Sequence, residues 1–215
     1  MKDIKLLIFD LDGTIADTLP SIMEAVNKTL SLYGKRERTY EEIRIAVGHG
    51  AKDLIRKTFE LEVGAELDAI FAVYDKVYGE TYTHIDGCYE GMSEAMHALI
   101  ERGYTLAILS NKPDPFVKKI NDILFPDGIM SIAMGQTELP RKPDPTAALL
   151  IAKELGFAPE QTAFIGDSDI DIFTGKNAGM LSVGCSWGYR GAEVLKDSGA
   201  DIVIYHASEL EKIFE

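Results

Sequence analysis

Residues 4–14 read IKLLIFDLDGT, an apolar run that stops on one acid, Asp10, and meets a second, Asp12, before a glycine. A continuous apolar run without polar alternation fits a strand buried on both faces, as in a parallel sheet covered by helices. Similar short runs recur as YTLAILS (104–110), GIMSIAM (128–134), TAFIGD (162–167), GMLSVGC (179–185) and ADIVIY (200–205). Helical periodicity lies between most of them, over Gly91–Arg102, Pro115–Leu124, Pro145–Leu155 and Ile170–Asn177. Strands alternating with helices predict βαβ units, and so an α/β fold with a Rossmann-like, three-layer core around a parallel sheet.

One stretch breaks the alternation. From Leu19 to His84 only helical spacing is present. Pro20 suits a first helical position, Ile22, Ala25, Val26, Thr29 and Leu30 follow at helical intervals, and Gly34 stops the helix. The expected organisation is an all-helical cap over residues 18–85 inserted into a core made of 1–17 plus 86–215. Gly87 and Gly91, on the return path, suit a hinge.

The chain has 215 residues and is 46% hydrophobic, enough for one sizeable core and a small second domain. A formal net charge of −13 disfavours nucleic acid and anionic membranes as partners. Cys88 and Cys185 form no CxxC motif, so neither a disulfide framework nor a zinc site is expected. No stretch approaches the ~20 apolar residues of a membrane span. The expectation is a soluble protein of a reducing cytoplasm, monomer or homodimer, acting on a small molecule.

In open α/β sheets ligands bind beyond the carboxyl ends of the strands. Asp10 and Asp12 occupy the first such end, where unpaired carboxylates repel one another and resist desolvation. An acidic turn would account for them alone. A second cluster, Asp167, Asp169 and Asp171, follows the run at 162–166. A helix start needs one capping aspartate, not three. Two acidic clusters at two strand ends suit a hard, oxygen-liganded ion such as Mg²⁺. The tetrapeptide KPDP occurs at Lys112–Pro115 and again at Lys142–Pro145, and in each copy the aspartate can cap a helix that begins with proline.

FDLDGT (9–14), the serine that ends LAILS (Ser110), the Lys-Pro pair at 142–143 and GDSDID (166–171) resemble, in order and spacing, the four motifs of the haloacid dehalogenase superfamily, over essentially the whole chain. Within it, VGHGAKDLI (47–55) and SNKPDPFVKKIND (110–122) are similar to the phosphoglycolate phosphatase branch. The resemblance implies a helical cap and phosphoryl transfer through an aspartyl-phosphate. Asp10 would be the nucleophile, and Asp12 the general acid and then the base. Ser110 would donate to a phosphoryl oxygen, helped by the Asn111 amide and by amides at Gly13 and Thr14. Lys142 would contact the phosphate. Mg²⁺ would be held by the Asp10 side chain, the Asp12 carbonyl and Asp167, with Asp171 acting through water or as an orienting group.

Lys112 matches no catalytic motif position and is expected to meet substrate, cap or solvent. Asp169 is expected to cap a helix or face solvent. His49, Gly50 and Lys52 either read the leaving group or belong to a solvated loop. The leading expectation is a Mg²⁺-dependent phosphatase for a small phosphorylated metabolite, 2-phosphoglycolate first. A phosphomutase of the β-phosphoglucomutase type, a pyrophosphatase or nucleotidase, and a non-catalytic phosphometabolite-binding module are the alternatives.

Overall fold

In the computed structural model, which describes residues 3–215, the apolar run ahead of Asp10 is a strand, β1 (Leu6–Phe9), buried at all four positions. Four helices follow without a strand among them: α1 (Leu19–Leu32), α2 (Tyr40–Ala46), α3 (Ala51–Phe59) and α4 (Ala65–Thr81). The alternation then begins with α5 (Met92–Glu101), β2 (Thr105–Pro113), α6 (Asp114–Leu124), β3 (Met130–Gln136) and α7 (Thr146–Glu154). It ends with β4 (Thr162–Gly166), α8 (Asp169–Asn177), β5 (Leu181–Cys185), α9 (Gly191–Asp197), β6 (Ile202–Ile204) and α10 (Leu210–Ile213).

The six strands of the described residues are parallel, in the order β3-β2-β1-β4-β5-β6. β1 is central, and its last residue, Phe9, is level with Ile108 on one side and Ile165 on the other. Alternation along β1 sends Leu7 and Phe9 to one face, against Met92, Leu99, Val117 and Ile120. Leu6 and Ile8 go to the other, against Ala148 and Ile151. Helices thus cover both faces, the condition that makes each strand read as a plain apolar run.

The helices between β1 and α5 enclose a separate apolar cluster built on Leu30, Ile43, Ile55, Phe59 and Tyr74. Phe116 and Tyr189, from α6 and the loop after β5, complete it. The two chain segments that lead into and out of these helices meet at an Ala16–Cys88 bridge, with Tyr89 N donating to Ile15 O at 2.9 Å. Cys88 and Cys185 are free thiols. Among the described residues no helix is long and apolar enough to cross a membrane.

The two KPDP copies start their helices differently from expectation. α6 begins at Asp114 itself, and Asp114 does not cap it: its Oδ1 accepts the Gly135 N–H of β3 at 3.0 Å. β2 runs on to Pro113, so the turn delivers Asp114 to the neighbouring strand rather than to its own helix. Asp144 does accept a first-turn N–H, that of Thr146 at 2.9 Å, although α7 starts one residue past Pro145.

Candidate active site

β1 lies between β2 and β4, the point at which the strand order reverses and where open α/β sheets gather their ligands. Asp10 follows β1 directly, with its N–H donating to Ile165 O of β4 at 2.9 Å. Ser110 sits within β2, Asp167 directly follows β4, and Lys142 comes from the loop after β3. α8 starts two residues after Asp167 and returns Asp171 to the same place. That return requires glycine at the end of β4: a Cβ on Gly166 would lie 2.3 Å from that of Asp171.

Oxygens of Asp10, Asp167 and Asp171 lie within 4.8 Å of one another, and all three residues are buried. Lys142 Nζ stands over them, 2.9 Å from Asp10 Oδ1 and 2.7 Å from Asp171 Oδ1. Asp171 Oδ2 accepts from Ser168 N at 3.1 Å and from Ser168 Oγ at 2.6 Å, so Ser168 and Asp171, not Asp169, secure the start of α8. Asp169 is half-buried. Asp167 accepts from Thr14 Oγ1 at 3.1 Å and Tyr189 N at 2.6 Å. Burial pushes the Asp10 carboxyl up to about 7, with Asp171 and Asp12 adding to the rise and Lys142 opposing it. Burial, then Asp171 and Asp10, hold Asp167 well above the usual carboxylate range. Burial alone would lower Lys142, but Asp10 and Asp171 raise it, so it is a fixed cation. Asp10 Oδ1 has no aligned hydrogen-bond donor among the described residues. Buried, crowded carboxyl oxygens with such a vacancy in their hydrogen bonding fit a hard divalent cation.

Asp12 faces elsewhere. Its carboxylate accepts from Lys112 Nζ at 2.8 Å and 3.1 Å and from the Thr18 hydroxyl. Lys112 is only 6% exposed, and its ammonium lies 4.9 Å from the centroid of the Tyr78 ring. Of the places expected for Lys112, solvent is excluded: β2 carries the residue inward, where Asp12 and the helix α4 enclose it. Burial would lower its ammonium, but Asp12 more than reverses this.

A cavity of about 60 Å³ joins these groups. Asp10, Asp12, Ser110, Lys112, Lys142 and Asp171 line its sheet side, and Leu54, Tyr74 and Tyr78 line the helical side. Of the residues that the sequence nominated for substrate, Asn111 and Gly50 also line it. The Asn111 side chain is already engaged: Nδ2 donates to Gly48 O at 3.0 Å and Lys142 O at 3.1 Å, and Oδ1 accepts from Lys142 N at 2.9 Å. Gly13, Thr14, His49 and Lys52 do not line the cavity. Gly13 turns the chain at φ +84° directly under Asp167, and Thr14 gives its hydroxyl to that same acid. His49 is exposed and engages Arg141 through its carbonyl at 2.6 Å, while Lys52 is exposed and paired with Asp68.

Sequence reasoning missed Tyr74, Tyr78 and Phe116, and the Lys112–Asp12 pair. Trp187 and Tyr189 both brace the first loop: Trp187 Nε1 donates to Thr14 O at 3.1 Å, and the Tyr189 hydroxyl accepts from Thr18 N at 3.2 Å. Their position just past a parallel strand, β5, was the available signal.

The sequence profile of the haloacid dehalogenase-like hydrolases matches residues 4–179. A phosphoglycolate phosphatase of Psychrobacter arcticus is 34% identical over 197 residues, covering 87% of this chain and 86% of that protein. One of Haemophilus influenzae is 30% identical over 218 residues, covering 97% of each. The crystal structure of a predicted phosphoglycolate phosphatase from Haemophilus somnus superposes with a TM-score of 0.91 at 29% identity, covering 100% of both chains.

Proposed function

The chain belongs to the haloacid dehalogenase-like hydrolases, and from that premise we propose that it hydrolyses a small phosphomonoester, 2-phosphoglycolate first, through an aspartyl-phosphate on Asp10. One observation carries this: Asp10, Asp167 and Asp171 converge beneath Lys142, with Ser110 on the adjacent strand facing the same cavity. A binding module for phosphorylated metabolites would need the cations but not a buried carboxylate aimed at them.

Asp10, as carboxylate, attacks phosphorus in line and expels the alcohol. Asp12 gives a proton to the leaving oxygen and then takes one from the water that cleaves the acyl phosphate. To do so it turns from Lys112 and Thr18 toward the reacting oxygen. Lys142 and Ser110 donate to phosphoryl oxygens whose charge is redistributed in the transition state. Mg²⁺ held by Asp10, Asp167 and the Asp12 carbonyl, with Asp171 orienting the set, would offset the repulsion between carboxylate and phosphate. Thr14, Tyr189 and Ser168 fix the acids in place. Residues 18–85 act as a cap over a core of 1–17 plus 86–215, excluding water from the first step and admitting it for the second. Free Cys88 and Cys185 suit a reducing cytoplasm.

Phosphate release is to be measured from 2-phosphoglycolate, sugar phosphates, nucleotides and pyrophosphate, with and without EDTA. The expected result is metal-dependent release, fastest from 2-phosphoglycolate, and none from Asp10→Asn. Release that persists in EDTA, or in Asp10→Asn, defeats the proposal. Conversion of a hexose 1-phosphate without free phosphate replaces it with a mutase.

A further inference from the structure

On the sheet side of the cavity Asp10, Asp12 and Asp171 each contact a lysine, whereas the helical side holds a polar group without a hydrogen-bond partner among the described residues. Tyr78, on α4, is 2% exposed and lines the cavity, and its hydroxyl has no hydrogen-bond partner among the described residues. Its ring cannot swing to find one. It stacks on Tyr74 with centroids 5.8 Å apart and planes 11° apart, and meets Phe116 edge-on at 4.8 Å and 76°. Burial holds the phenol above its ordinary value, so at neutral pH it is a donor. A fixed, buried donor without an acceptor is unfavourable unless a ligand brings one.

The cation beside it has capacity left. Among the described residues three cationic side chains line the cavity: Lys112, Lys142 and Arg190. Lys142 is held between Asp10 and Asp171. Arg190 directs Nη1 to Arg44 O and Nη2 to Ile45 O and Val47 O. Lys112 has three N–H donors, of which the Asp12 carboxylate takes at most two. Its ammonium sits by the Tyr78 ring, so one acceptor can reach both groups. Five aspartates among the described residues line the same cavity, Asp10, Asp12, Asp75, Asp167 and Asp171. Against them, Lys112 is the lining cation with a donor left for a second anionic group on the substrate.

We propose that Tyr78 and Lys112 form a subsite for a carboxylate on the leaving group, so that a phosphorylated hydroxy acid is selected over the alkyl phosphate of the same length. The inference rests on the phosphatase reading above and adds to it the residues that read the leaving group's carboxylate. A cavity of about 60 Å³ suits a leaving group of only a few heavy atoms.

The test compares kcat and KM for 2-phosphoglycolate and for ethyl phosphate in the wild type, Tyr78→Phe and Lys112→Met. Phenylalanine keeps the ring stack and removes only the hydroxyl. The wild type should prefer the carboxylate-bearing ester. Tyr78→Phe should lower the ratio of the two kcat/KM values about tenfold or more, chiefly through KM for 2-phosphoglycolate, and Lys112→Met should lower it further. A ratio unchanged in either variant overturns the subsite, as does a wild type that cleaves both esters equally well. A wild type that cleaves other monoesters but not 2-phosphoglycolate also overturns it, while phosphomonoester hydrolysis through Asp10 stands with another substrate. Absence of phosphate release from every monoester removes that reading, and the subsite with it.

Discussion

Lys112 Nζ lies 2.8 Å from Asp12 Oδ1, and the two side chains are 4% and 12% exposed, so the acid proposed to move the proton rests in a buried ion pair. The pair is built by the sheet. β2 carries Ser110 and Lys112 two residues apart, while Asp10 and Asp12 follow the end of β1 beside it. Period-two alternation puts Ser110 and Lys112 on the same face of β2, and the loop after β1 brings Asp12 to Lys112. Ser110 and Asp10 face the phosphoryl end of the cavity, and Lys112 and Asp12 face the helical side.

Breaking this pair from one side should be costly. Lys112→Met leaves a mostly buried carboxylate without its countercharge, and the expected loss is about 3–5 kcal/mol of folding stability. Asp12→Asn together with Lys112→Met should recover much of that loss, because no uncompensated charge remains. Urea unfolding of the two single variants and the double variant measures the coupling. Additive losses would mean that the two groups do not interact.

The divide between what the sequence disclosed and what it concealed follows the range of the interactions. Each of the six strands is a local apolar run, and each acid that ends one is its neighbour in sequence, so Asp10, Asp12, Asp167 and Asp171 were legible. So was the four-helix interruption, from the loss of strand-like runs over Leu19–His84. Partner choice was not. Lys112 and Asp12 are 100 residues apart, and Tyr189 reaches Thr18 across 171. Nothing local distinguishes a lysine aimed at a carboxylate from one aimed at solvent, nor a core tyrosine in α4 from one whose hydroxyl ends in a cavity. Asp114 shows the same limit: a capping motif by sequence, it was taken by the next strand.

The acid cluster sets a pH dependence whose sign can be worked out. The Asp10 carboxyl is raised by burial to about 7 in the folded chain, from an ordinary value of 3.8. The folded state therefore binds this proton more tightly than the unfolded chain does. Metal-free protein should lose stability, on the order of a few kcal/mol, as pH rises from about 4 through 7, and Asp167, raised in the same direction, adds to the loss. A divalent cation binds the deprotonated acids and reverses the loss. Melting curves with EDTA and with Mg²⁺ should diverge at pH 8 and converge near pH 5. Equal Mg²⁺ effects at both pH values would contradict the assignment of these acids as the ion's ligands.

Gly13→Ala tests the loop beneath them. Its φ of +84° is a region that alanine avoids, and the added Cβ would lie 2.6 Å from Asp167 Oδ2. The expected outcome is a displaced Asp167 and about 1–2 kcal/mol of strain, read as lower Mg²⁺ affinity by calorimetry and a lower melting temperature. Wild-type metal affinity in this variant would show that the loop relaxes without moving the acid.

Ser110→Ala removes a hydroxyl that supports nothing beyond its own strand: its Oγ accepts one long bond, from Lys112 N at 3.4 Å. Stability should change little, whereas kcat should fall roughly a hundredfold, the usual cost of a lost transition-state donor. A large rise in KM with kcat unchanged would instead make Ser110 a ground-state binding group.

Arg190 tests how the helical insert is held to the sheet. The segment from Arg44 to His49 offers its carbonyls to side chains from the core. Arg190 donates to Arg44 O at 2.7 Å and Val47 O at 2.6 Å, Asn111 to Gly48 O at 3.0 Å, and Arg141 to His49 O at 2.6 Å. In return, the Arg44 guanidinium donates to Tyr189 O. These contacts are hydrogen bonds to backbone carbonyls rather than apolar packing, so they can be released without unfolding a core. Arg190→Ala should leave β1 and β4 as protected from hydrogen exchange as in the wild type, while residues 44–50 exchange faster. If the segment opens as a unit, KM should rise severalfold, because the cavity's helical wall is less often in place. Faster exchange throughout the sheet would mean that Arg190 stabilises the whole fold rather than this one closure.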